Sequence, residues 1–136
     1  MKRPQNPEPV WIEERDAVAL HDRLISLHGG PAGVRDAGLL QSALARAHQL
    51  LAYGESPDIA EMSAAYTAGI VRNHPFVDGN KRTGFVVGIL FLELNGFRFT
   101  ASEEDAARAV IELAAGNLNE AGYCAFLRAN SAPTRK

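Results

Sequence analysis

The sequence predicts an all-α protein, a bundle of about six helices around one buried central helix. Three observations carry that expectation. Alanine, the residue with the best intrinsic helix propensity, occurs 22 times, and β-branched residues rarely alternate with polar ones. Apolar residues recur at three- and four-residue spacing in successive segments. Glycines, prolines and capping residues separate those segments at short intervals.

A first helix is expected from about Glu13 to His28, with Ala17, Leu20, Leu24 and Leu27 on one stripe and Gly29-Gly30-Pro31 as its stop. Asp36 is placed to cap a second helix, which carries Leu40, Ala43, Leu44, Ala47 and Leu51 on one face. Gly54 to Pro57 breaks the chain. A third helix runs from about Asp58 toward Asn73 with Met62, Ala65, Ala68 and Ile70. From about Asn80 to Leu94 the chain is apolar around most of a helical circumference, the mark of a helix buried on all sides. This segment is the expected centre, and Gly84 and Gly88 would admit a close neighbour. Asn95-Gly96 ends it, and Phe97 to Thr100 reads as a short extended link. Ser102 caps a fifth helix, close to a capping box with Asp105, whose stripe is Ala107, Val110, Ile111 and Ala114 and whose stop is Gly116. A sixth, from about Asn119 to Ala129, buries Tyr123, Phe126 and Leu127. Residues 1–9, with three prolines, and residues 131–136 look like loose ends. The whole reads as one domain over residues 1–136, a length near the mode for a single domain.

Composition argues against several classes of function. The 14 basic and 16 acidic residues leave a net charge of −2, whereas a protein that coats nucleic acid by phosphate attraction carries a basic excess. Direct nucleic-acid binding is not expected. A single cysteine, Cys124, cannot close an internal disulfide or build a four-cysteine zinc site. His21, His28 and His48 lie on separate helical faces without a second ligand at metal spacing. Trp11, Met62 and Cys124 read as packing residues. The longest uncharged apolar stretch, Phe85 to Leu92, is far short of the ~20 residues of a membrane span, and the first nine residues lack the apolar run of a secretory signal. No membrane association is expected; the expected setting is the cytoplasm.

The segment that carries chemistry is His74-Pro75-Phe76-Val77-Asp78-Gly79-Asn80-Lys81-Arg82-Thr83-Gly84, between the third and fourth helices. The first turn of a helix offers unpaired N–H groups and a partial positive charge, which suit phosphate. Gly79 lets a ligand approach the backbone, and Lys81 and Arg82 add two formal charges there. Both cations oppose the helix dipole, a mild cost that a bound anion would offset. Asp78 beside a phosphate needs a bridging divalent cation, and magnesium held by one carboxylate plus phosphate oxygens is the usual arrangement. His74 precedes the cradle, and histidine is the side chain that titrates nearest neutrality, as a general base should. Each residue alone has an ordinary explanation as a cap, a solvated cation or a packed ring. Their concentration in nine positions, ahead of the most apolar helix, points to a site.

That segment resembles the central motif of the Fic/Doc superfamily, H-x-F-x-(D/E)-G-N-G-R-x-x-R in the Fic branch and H-x-F-x-D-A-N-K-R in the Doc, or death-on-curing, branch. Upstream, His28-Gly29-Gly30-Pro31-Ala32-Gly33-Val34-Arg35-Asp36 and Gly38-Leu39-Leu40-Gln41-Ser42-Ala43-Leu44 are similar to the death-on-curing branch in particular. The resemblance covers most of the chain and implies a Fic/Doc-type helical fold. Position by position, it implies that His74 is the catalytic base for a hydroxyl on a target protein and that Phe76 anchors the loop. It further implies that Asp78 holds magnesium. Gly79, Asn80, Lys81 and Arg82 would cradle nucleotide phosphates through backbone N–H groups and side chains. The implied cofactors are Mg2+ and ATP.

Two positions bear on the reaction. AMP-transferring Fic enzymes have glycine where this chain has Lys81 and a second arginine where it has Phe85. The Doc branch shares the lysine and lacks that arginine. The resemblance therefore implies a kinase that transfers the terminal phosphate of a nucleotide bound the other way round. It would be the toxin of a type II toxin–antitoxin system, phosphorylating a threonine of the translation factor EF-Tu and halting translation. Gly79, where Doc has alanine, keeps AMP transfer open as an alternative. A catalytically idle, antitoxin-binding module is a third reading, and the intact His74–Asp78 pair argues against it.

Tyr53 to Glu61 match the place of the family's flap, which aligns the target peptide as an added strand, although an ordinary helix connection fits equally. The inhibitory pattern (S/T)-x-x-x-E-(G/N) of many Fic proteins is approached only from Thr100 to Glu104, with Asp105 following. A brake would come from outside, from a cognate antitoxin whose C-terminal segment folds as a helix into a groove. Exposed apolar residues of the first two helices are its candidate lining.

Overall fold

The structure, a computed structural model, describes residues 8–134; residues 1–7 and 135–136, the outer parts of both expected loose ends, lie outside the described residues. Six helices form: α1 (Glu14–His28), α2 (Ala37–Tyr53), α3 (Ile59–Asn73), α4 (Asn80–Leu94), α5 (Glu103–Ala115) and α6 (Glu120–Ala129). Two short strands, β1 (Phe97–Phe99) and β2 (Ser131–Pro133), complete the elements. Four helices begin on a side chain that accepts a first-turn N–H. Asp36 accepts from Leu39 at 2.9 Å, Asp58 from Glu61 at 2.8 Å, Ser102 from Asp105 at 3.1 Å and Asn119 from Gly122 at 2.7 Å.

The helix surrounded on all sides is α3, not α4. Met62 to Val71 form an unbroken buried run, because α2, α4, α5 and α6 all pack against it. Small residues make this possible: Ala64, Ala65, Ala68 and Gly69 let four neighbours close in. Two of its three buried hydroxyls are satisfied by α4, Ser63 donating to Gly88 O at 2.7 Å and Thr67 to Gly84 O at 2.8 Å, and the third, Tyr66 OH, accepts from Ile12 N–H at 3.0 Å. Gly84 and Gly88 do admit a close neighbour. A Cβ at Gly88 would collide with Thr67 Oγ1, and one at Gly84 would stand 3.1 Å from Val71 Cγ2. By contrast α4 buries one face, while Phe85, Ile89 and Leu90 are half-buried and Leu94 is exposed. Apolar periodicity alone ranks α4 first because it cannot see that much of its apolar surface lines a groove rather than a core.

Two apolar clusters flank α3. One gathers Ile12, Leu40, Leu44, Met62, Tyr66, Ile70, Phe76 and Phe91, and the other Val71, Leu92, Val110, Leu113, Tyr123 and Leu127. The stripe of α5 is turned from the expected one. Ala106, Ala109, Val110 and Leu113 are buried, whereas Ala107 and Ala114 face outward and Ile111 is 55% exposed. Ala107 and Ile111 form a wall of the α4–α5 groove instead. On α1, Leu27 is exposed and His21 is buried. The extended link pairs: β1 runs antiparallel to β2, with Phe97 opposite Pro133 and Phe99 opposite Ser131. The end expected to be loose from residue 131 is therefore strand through Pro133, tied further by Thr134 N–H donating to Gly96 O at 2.9 Å. Among the described residues no helix is long and apolar enough to cross a membrane.

Candidate active site

The six-residue loop from His74 to Gly79 joins the end of α3 to the start of α4, and both of its terminal residues are left-handed. His74 has φ 50° and ψ 55°, Gly79 φ 76° and ψ 22°. Glycine adopts this conformation freely. For a histidine it is strained, and it persists only where neighbours hold it. Here the segment Gly33–Asp36 does so. The N–H groups of Arg35 and Asp36 donate to Pro75 O at 2.7 and 3.0 Å, Val77 N–H donates to Gly33 O at 3.0 Å, and Val34 bridges Phe76 antiparallel. The Arg35 guanidinium lies across the end of α3, Nε donating to His74 O at 2.7 Å and Nη2 to Asn73 O at 2.9 Å. A cation thus meets the carbonyl end of the helix, where the dipole favours it.

The inner side of the loop is packed and hydrogen-bonded. Phe76 is buried, the anchor that the resemblance implies, and it stacks on the buried ring of His21 at 4.0 Å between centroids and 7° between planes. His21 Nε2 donates to Asp78 O at 2.7 Å, so that nitrogen carries a proton. Asn80 serves the loop rather than the cradle with its side chain. Its Oδ1 accepts from Phe76 N–H at 2.9 Å and its Nδ2 donates to Phe76 O at 3.0 Å. Both bonds close a ring around the turn, which is why a polar side chain is buried there. Asn80 Nδ2 also stands 3.4 Å from His74 Nδ1, too far to fix which ring nitrogen holds the proton.

The outer side is left open. Asp78, Lys81 and Arg82 are exposed, and among the described residues none of them forms an ion pair. The start of α4 has glycine as its N-cap and no capping side chain. Asp78 leans over Gly30, where a Cβ would come within 2.7 Å of Asp78 Oδ2. The donor set is one exposed carboxylate, two cations and unfilled helix N–H groups, which suits a phosphate chain with one divalent cation. No group of three or more His, Cys, Asp or Glu side chains able to hold a metal occurs among the described residues. A cation at Asp78 would complete its shell from phosphate oxygens and water. Beyond Lys81 and Arg82 a groove of about 470 Å³ runs between α4 and α5, walled by Phe85, Ile89, Phe99, Val110 and Ile111.

Two expected surfaces do not assemble. Tyr53 to Glu61 lie at the far end of α3, a 15-residue helix about 22 Å long, so they do not border His74. The segment beside the motif is Gly29–Asp36. The exposed apolar residues of the first two helices also separate: Leu27 ends α1 near the motif, whereas Leu51 and Tyr53 end α2 roughly 20 Å along its axis. Cys124 is buried, and burial pushes its thiol above the usual range, which makes it a packing residue. His21 and Arg35 are the residues that sequence reasoning misses. His21 had a faint signal, its place one helical turn from Ala17 on the buried face of α1. Arg35 had none beyond its position in the death-on-curing pattern.

The fold and loop define a helical protein whose His–Asp–Lys–Arg motif bridges its two most closely packed helices. A sequence model of the Fic/DOC family matches residues 11–92, which contain that motif entire, and the chain belongs to this family. It is similar to the protein kinase doc of Escherichia phage P1, 35% identical over 117 residues that cover 86% of this chain and 92% of that protein. It is also similar to the toxin Doc of Mycolicibacterium smegmatis, 42% identical over 83 residues, 60% of this chain and 62% of that protein. Both place it in the Doc-like branch. Among solved structures, the N-terminal Fic domain of a cell filamentation protein of Bartonella quintana, a VirB-translocated Bep effector with bound ADP, matches with a TM-score of 0.49. That match has 19% identity and covers 79% of this chain and 54% of that one.

Proposed function

We propose that this protein is a Doc-like toxin kinase of the cytoplasm, which transfers the terminal phosphate of ATP to a Ser/Thr hydroxyl of a translation factor such as EF-Tu. A cognate antitoxin restrains it. The observation that carries this reading is the open start of α4, with Lys81, Arg82 and Asp78 unpaired among the described residues, one short loop from His74. The 35% identity to a relative named a protein kinase supports it.

In this reading His74 takes the proton as the target oxygen attacks the terminal phosphorus, the bond to the leaving ADP oxygen breaks, and ADP departs. Lys81, Arg82 and the first-turn N–H groups of α4 stabilise the charge that spreads over the phosphoryl oxygens. Asp78 would hold magnesium, which when bound neutralises part of the phosphate charge. Gly29–Asp36, in place of Tyr53–Glu61, is the segment beside which a target peptide would align.

Phe85 supports terminal-phosphate transfer. It meets Phe99 edge-on at 5.8 Å in an apolar groove where AMP-transferring members carry arginine. Lys81 and Arg82 stand at one end of that groove, and at the position of Phe85 itself a phosphate would meet an apolar ring and no further cation. AMP transfer is the second reading, and left-handed Gly79, the Fic-branch residue, favours it. The test is direct. With EF-Tu and ATP labelled on the terminal phosphate, the target should become labelled and ADP should form. With ATP labelled on the α-phosphate it should not. The reverse pattern would promote AMP transfer, and no label from either nucleotide would point to another target or an idle module.

A further inference from the structure

We infer that Arg35 is a positioning residue for His74: its guanidinium clamps the last two carbonyls of α3 and so holds the base in its left-handed conformation, pointed at the cradle. The inference rests on the reading of His74 as the base. Three observations converge on it. First, Arg35 is exposed and makes no ion pair among the described residues. The two hydrogen bonds of its side chain, at 2.7 and 2.9 Å, go to His74 O and Asn73 O. A planar fork of donors on two nitrogens reaches two successive carbonyls in a fixed geometry, which the single nitrogen of a lysine does not reproduce. Second, His74 is one of two non-glycine residues with positive φ among the described residues, the other being Ser56 in the α2–α3 connection. Such a conformation needs an external hold. Third, the imidazole itself has one polar contact among the described residues, the 3.4 Å approach to Asn80. The ring is therefore aimed by its backbone, and that backbone is held by Arg35 and its neighbours. Asp36, next in sequence, is fixed as the cap of α2, so the clamp is anchored to a helix and not to a free loop.

A base must come within about 2.6–3.2 Å of its proton, and a misplacement of about 1 Å can cost ~10²-fold in rate. Arg35→Ala should therefore lower kcat by ~10²-fold while KM for ATP stays within about twofold, because the cradle on α4 is not touched. Arg35→Lys, which keeps the charge and loses the fork, should fall between. Millimolar guanidinium should restore part of the lost rate in Arg35→Ala and do nothing for Arg35→Lys. A readout that needs no target protein is the ring 15N–1H spectrum of His74, assigned by comparison with His74→Ala. Its resonances should shift and broaden in Arg35→Ala and recover with guanidinium, while those of His28 and His48 stay in place. An unchanged His74 spectrum with unchanged kcat overturns the inference. So does a loss of activity accompanied by an equal rise in KM, or one that guanidinium does not touch. If Arg35→Ala fails to fold, Arg35→Lys decides alone, by a fallen kcat and shifted ring signals at constant KM or by neither. Retained transfer in His74→Ala would instead overturn the reading of the base, an outcome the ring spectrum of Arg35 variants keeps separate.

Discussion

The starts of α3 and α4 are the same physical object treated in opposite ways. At the start of α3, Asp58 and Glu61 form a complete capping box, Arg128 Nε donates to Asp58 Oδ2 at 2.9 Å, and Arg128 Nη2 lies 3.5 Å from Glu61 Oε1. Negative charge meets the positive end of the dipole, and both carboxylates have partners. At the start of α4 the N-cap is a glycine, no side chain caps the first turn, and the two charged residues that follow are Lys81 and Arg82. That arrangement works against the helix on its own. The difference teaches where the molecule leaves capacity open: one helix start is capped and matched in charge, and the other is uncapped and carries two cations, which is where the proposed function puts an anion.

The comparison breaks first at the base. His74→Ala should lower transfer by ~10²–10⁴-fold while melting temperature and ATP binding change little, since the ring has no strong contact of its own. Titration calorimetry with ATP and a label-transfer assay read the two properties apart. Next come the cations. Arg82→Ala should cost ~10²-fold in kcat without loss of melting temperature, because it removes charge stabilisation and, among the described residues, no ion pair. A variant that lost stability in step with activity would show that Arg82 serves the fold. A smaller effect is expected at Asp78→Ala, where ATP affinity should cease to depend on added magnesium. Equal affinity with and without magnesium in the unaltered protein would remove Asp78 from metal binding.

The same contrast explains how much the sequence could reveal. Side-chain caps are local, so Asp36, Asp58, Ser102 and Asn119 are legible as helix starts, and the boundaries of six helices follow. The motif residues are legible because they crowd into one short segment. Burial is a property of neighbours, and the sequence therefore ranks α4 above α3 as the centre and turns the stripe of α5 by about a third of a turn. Residues that act through space are the least legible. Arg35 lies 39 positions from the carbonyl it holds and His21 lies 57 from Asp78, with no periodicity that links them. Asn80 was legible in place and not in role, since nothing local says that its amide turns inward to Phe76.

At the capped end the effects should fall on stability alone. Asp58→Ala removes the cap of α3 and should cost about 1 kcal/mol, lowering the melting temperature by about 4 °C. Transfer activity at low temperature should be unchanged, because Asp58 is a helix length, about 22 Å, from the motif. A fall in kcat in a well-folded Asp58→Ala protein would join the two helix starts that are here held to be separate.

The smallest effect is a pH dependence at that same cap, and its sign follows from the surroundings of Asp58. Partial burial pushes its carboxyl up, but the hydrogen bond and charge of Arg128 and the Glu61 N–H outweigh that and hold it below the ordinary aspartate range. A carboxyl depressed in the folded state stabilises the fold at every pH above its unfolded value. That contribution is lost as pH falls through the folded value, here below about 4. Asp58→Asn isolates it, since asparagine caps a helix about as well and carries no charge for Arg128. The melting temperatures of the two proteins should differ by a constant amount from about pH 5 to 7 and converge as pH drops below about 4. The gap should be small, because both Asp58 and Arg128 are half exposed and salt screens them. Added salt should narrow it further at pH 7. A gap that widened toward acid would mean that Asp58 opposes the fold when charged, and the start of α3 would then be no better matched to its dipole than the start of α4.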